Sequence, residues 1–88
     1  MTNISKRKTQ KNMHLHIDKA FAVIDDYLPY PYVDKVKKHV KSSSGTIRNV
    51  RSKRTGSIKI IEALLRVALE NKRRIENENK KLESLINQ

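Results

Sequence analysis

An all-α protein is predicted, a small helix-turn-helix bundle of about four helices whose last helix extends as a coiled coil. Apolar residues recur at spacings of three and four through most of the chain, and neither Gly nor Pro occurs after Gly56. Ser and Gly clusters at 42–45 and 54–57 separate the periodic segments. Such spacing is the signature of amphipathic helices, and Ser and Gly supply caps and turns between them.

Residues 1–12 carry two apolar residues, Met1 and Ile4, and read as a mobile basic arm. The set Ile17, Ala20, Phe21, Ile24 and Leu28 marks a first helix with one buried stripe. Pro29 and Pro31 end it, because a proline disfavours helical backbone in the residue before it. Val33, Val36 and Val40 then give the apolar face of a second helix over about residues 32–40, with Pro31 in its first turn. One of Ser42, Ser43 and Ser44 is expected to cap a third helix running to about Ser52. Its buried side is only Ile47 and Val50, so Arg48, Asn49, Arg51 and Lys53 point outward. Ser57 is the expected cap of a fourth helix, starting near Ile58 and apolar on most of its circumference up to Leu69.

From Ile61 to Ile86 a heptad seam runs through Leu65, Ala68, Lys72, Ile75, Asn79 and Leu82. Ile75, Asn79, Leu82 and Ile86 are the expected homodimer contacts, Asn79 being the polar residue that favours a two-stranded partner. A solvated single helix, supported by pairs such as Glu62 with Arg66 and Glu76 with Lys80, is the alternative. In a parallel dimer Glu78 would face Glu83, so orientation stays open. The organisation expected is an arm at 1–12, a helix-turn-helix domain at 13–70 and a dimerising helical extension at 71–88.

The chain has 88 residues, 20 basic against 9 acidic and a formal net charge of +11. Leu, Ile, Val and Phe make up 23 of the 88, enough for a modest core. Residues 1–56 hold 13 basic and 4 acidic side chains, and from Lys35 to Ile61 there are nine Lys/Arg and no acid. So one-sided a balance points to a polyanionic partner. With no cysteine, disulfides, thiolate metal sites and thiol catalysis are excluded. No apolar stretch reaches membrane length, no signal-peptide core follows Lys6, Arg7 and Lys8, and a cytoplasmic protein with no membrane partner is expected.

Two helices joined by a Ser/Gly turn, the second presenting cations and amides, form a helix-turn-helix suited to double-stranded DNA. Arg pairs with guanine edges and Asn with adenine edges in a major groove about 12 Å wide, which admits one helix. SSSGTIRNVRSKRTGSIKIIEALLRVAL resembles the helix-turn-helix of the lambda repressor, Cro and Xre group over about residues 31–70. Thr46 and Ile47 match its Thr-Ile pair, Ser52, Lys53 and Arg54 its basic turn, and Ala63, Leu64, Leu65, Ala68 and Leu69 its following helix. The resemblance implies base contacts at the start and middle of the third helix and phosphate contacts at the turns on either side. On this reading Ser44, Arg48, Asn49 and Arg51 contact bases, while Ser42, Ser43, Thr46, Lys53, Arg54, Thr55, Ser57 and Lys59 contact phosphates. The expected function is sequence-specific DNA binding by a dimeric transcriptional regulator. A nonspecific nucleic-acid-binding assembly protein and an RNA-binding accessory factor are the alternatives.

The arm residues Lys6, Arg7, Lys8 and Lys11 either follow DNA or form a solubilising tail. Tyr27, Tyr30 and Tyr32 are expected to pack around the two prolines rather than stack on bases. His14, His16 and His39 lack metal-ligand spacing, so neither metal nor other cofactor is expected. Asp25 and Asp26, being adjacent, face different sides of a helix and cannot work on one substrate, so no catalytic role and no small-molecule substrate are expected.

Overall fold

A computed structural model describes residues 16–88, all-helical apart from the connections. Helix α1 covers residues 16–27, α2 Val33–Lys37, α3 Ser44–Lys53 and α4 Ile58–Ile86. The expected arm, together with His14, lies outside the described residues.

One apolar core joins all four helices. Phe21 and Ile24 of α1, Val36 of α2, Ile47 of α3 and Leu64 of α4 are its fully enclosed side chains. Ile60, Ile61, Ala63, Val67 and Ala68 are also buried, so most sides of the first three turns of α4 are covered. No charged residue is buried among the described residues. Burying each large aliphatic side chain contributes roughly 1.5–3 kcal/mol.

α1 lies alongside α4 and runs in the same direction. Ile17 and Ala20 line one apolar groove with Ile58, Ile61 and Leu65. At its other end, Asn71 Nδ2 donates to the Tyr27 carbonyl at 2.8 Å and Lys72 Nζ sits 5.6 Å from the Tyr27 ring centroid. A helix leaves its last carbonyls unsatisfied, and Asn71 supplies a donor to one of them. This arrangement revises the heptad reading. The first half of the seam, Ile61, Leu65, Ala68 and Lys72, is occupied by α1 of the same chain. Beyond the point where the chain turns away at Pro29, Ile75, Asn79, Leu82 and Ile86 continue the seam uncovered.

The second helix is shorter than its periodicity predicts. Regular α-helix stops at Lys37, and the chain tightens into turns in which Lys38 N donates to Lys35 O and His39 N to Val36 O. Tyr32, not Pro31, occupies the position before the first turn. Val40 nevertheless packs against the core, as its spacing requires.

Candidate nucleic-acid interface

Ser43 caps α3. Its Oγ accepts from Thr46 N at 3.2 Å and lies 2.8 Å from Thr46 Oγ1. Such a cap is worth about 1 kcal/mol and fixes where the helix begins. Ile47 and Val50 anchor one side of α3 in the core. The side opposite them, at about 100° per residue, carries Gly45, Arg48, Asn49 and Ser52, all exposed. Among the described residues neither Arg48 nor Asn49 makes a side-chain hydrogen bond or ion pair within the chain.

Gly45 has a distinctive place on this face. A Cβ built there meets nothing within 4 Å, and its backbone is ordinary helix. The fold therefore has no need of glycine at this position, although glycine costs a helix up to about 1 kcal/mol relative to alanine. Gly56 is the opposite case, with φ of 139° and Val50 Cγ2 only 2.7 Å from its would-be Cβ. There the turn into α4 depends on the missing side chain.

Two of the expected contacts are engaged by other side chains of the protein. Arg54, expected at a phosphate, instead donates to the Asp25 carboxylate of α1, and its guanidinium lies 5.3 Å from the Phe21 ring centroid. It also closes α3 in left-handed backbone, φ 59°, with its N–H bonded to Val50 O. Arg51, expected at a base, is half-buried with its guanidinium 5.2 Å from the Tyr32 ring centroid, and its enclosed Nε has no partner. Arg51 stands four residues after Ile47 and Arg54 four after Val50, so both border the buried stripe and reach the aromatic rings beside it.

The remaining expected residues lie around the α3 face. Ser44 is half-buried in the first turn, and Ser42 is half-buried before the cap. Ser43 and Thr46 are exposed, with their hydroxyls engaged with one another. Lys53, Thr55 and Lys59 are exposed, and Ser57 stands at the start of α4 without a capping bond from its hydroxyl. Ser52, the expected end of the third helix and matched by the resemblance to a basic turn, belongs to the exposed face, as its i+4 spacing from Arg48 requires.

The tyrosines divide. Tyr32 packs in the core and Tyr27 is half-buried, but Tyr30 is 92% exposed, contrary to the expected packing around the prolines. Tyr30 lines a cleft with Pro31, Asp34, Ser44, Arg48 and Arg51. Elsewhere, His39 Nε2 stands 3.7 Å from Glu70 Oε1. Among the described residues no three His, Cys, Asp or Glu side chains gather as a metal site, and no helix is long and apolar enough to cross a membrane. No protein-family model, curated protein or solved structure matches the chain.

Proposed function

We propose that this protein binds double-stranded DNA sequence-specifically, as a helix-turn-helix transcriptional regulator with α3 in the major groove. The observation that carries the reading is the exposed face Gly45, Arg48, Asn49 and Ser52, with its two readers free of partners in the described chain. Two small residues flank an arginine and an asparagine, so the helix can lie deep while the long side chains reach guanine and adenine edges. The first turn of α3 holds no acid, and Lys53 and Lys59 are exposed on either side of the following turn. These charges suit phosphates, which supply most of the affinity. Ser42, Ser43, Thr46, Thr55 and Ser57 add hydroxyls around the same face. Arg54, tied to Asp25, and Arg51, laid on Tyr32, are left out of the contacting set.

The uncovered seam of Ile75, Asn79, Leu82 and Ile86 supports an active form that is a homodimer on an inverted repeat, with half-sites about 34 Å apart or a multiple of it. In a parallel pair Glu78 faces Glu83 across this short seam, a repulsion that DNA offsets by holding two copies side by side.

Selection from a random duplex pool, followed by titration of the winner across a salt series, tests the reading. A preferred duplex whose affinity falls steeply with salt is expected, by about 10³-fold between 50 and 200 mM for six phosphate contacts per dimer. Affinity indifferent to salt refutes DNA binding. A flat sequence preference with firm self-association favours the assembly role, and better competition by RNA than by DNA favours the RNA-binding role.

A further inference from the structure

Tyr30 stands between Pro29 and Pro31, whose rings restrict the backbone on both sides. Its own ring, 92% exposed, contributes nothing to the core. A large aromatic side chain held in water on a stiff corner is placed for an external contact, because little conformational freedom is lost when it binds. The cleft it borders, about 530 Å³, brings it beside Arg48 on the exposed side of α3. Arg51 and Tyr32 line the same cleft, the Arg51 guanidinium lying 5.2 Å from the Tyr32 ring centroid.

On the DNA-binding reading above, the available complements are limited. In an intact duplex base faces are stacked on one another and closed to an outside ring. The major groove offers an aromatic ring one apolar group, the C5-methyl of a pyrimidine. We infer that Tyr30 packs its ring on that methyl, on thymine or 5-methylcytosine, in the base pair next to the one addressed by Arg48. Recognition then has two parts, a guanidinium seeking a guanine edge and an adjacent ring seeking a methyl, mounted on different segments of the fold.

The test uses the full chain and its selected duplex, with each thymine replaced singly by uracil and each cytosine by 5-methylcytosine. At one position, loss of the methyl weakens the wild type about fourfold, or its addition to cytosine strengthens binding about fourfold, the value of roughly one buried methyl. The uracil and methylcytosine arms distinguish the two bases. Tyr30→Phe keeps this discrimination, and Tyr30→Ala binds methylated and unmethylated duplexes alike. Tyr30 is exposed, so neither substitution disturbs the core, and circular dichroism checks this. Methyl discrimination that persists in Tyr30→Ala overturns the inference. So does an equal loss on every sequence in Tyr30→Phe and Tyr30→Ala, which assigns the hydroxyl to a phosphate. A wild type that prefers no duplex refutes the parent reading and this one with it, whereas specific binding unaffected by Tyr30→Ala refutes this one alone.

Discussion

Replacing Gly45 by alanine separates the demands of the fold from those of the ligand. The added methyl enters open space on ordinary helical backbone, with no atom within 4 Å. Stability should therefore rise by about 0.5–1 kcal/mol, as the unfolded chain loses freedom and the helix gains a better former. For a domain of this size that is a Tm increase of about 2–8 °C. If α3 lies in the groove on this face, the same methyl is forced against the DNA, and crowding of that kind costs about 1–3 kcal/mol. Affinity for the selected duplex should then fall by about tenfold while the protein becomes more stable. Gly56→Ala is the control. There a methyl would meet Val50 Cγ2 at 2.7 Å on backbone with φ of 139°, so Tm should fall. Thermal melts followed by circular dichroism, with fluorescence anisotropy on a labelled duplex, measure both quantities. A Gly45→Ala protein that is more stable and binds unchanged would show that α3 does not approach DNA on the Gly45 face, and the placement of the interface would fail.

Other substitutions probe the remaining parts. Arg48→Ala and Asn49→Ala should each cost about 1–3 kcal/mol of affinity at particular base pairs; uniform loss over all sequences in a competition assay reassigns them to phosphates. Asp25→Asn releases Arg54, so nonspecific affinity should rise and the salt slope steepen by about one phosphate, while stability falls by less than about 1 kcal/mol, the partners being half exposed. Leu64→Ala, in the fully enclosed centre of the core, should cost about 2–5 kcal/mol in urea unfolding. A chain ending after Arg74 keeps Asn71 and Lys72 on Tyr27 but lacks Ile75, Asn79, Leu82 and Ile86; it should fold, and light scattering in the presence of DNA should show that it no longer pairs.

The sequence by itself determined the helices and the side each one buries. Local spacing carries that information: valines at 33, 36 and 40 and isoleucine and valine at 47 and 50 each mark one inward face, and the dense apolar run from Ile58 to Leu69 marks a helix buried on most of its circumference. Serines at 42–44 announced a cap, and the structure selected Ser43 from three candidates that the sequence left equal. Periodicity likewise put Arg48 and Asn49 on the outside. Tertiary structure alone decided which cations stay free, because the fate of Arg54 and Arg51 depends on Asp25, Phe21 and Tyr32, which lie 19 to 33 residues away along the chain. The continuous heptad pattern was divided by α1, a neighbour no one-dimensional period can reveal, and of three similar tyrosines one was buried, one half-buried and one left in water. Periodicity records how a segment relates to its own axis; the assignment of a charge or a ring to protein or to partner is made only when distant segments meet.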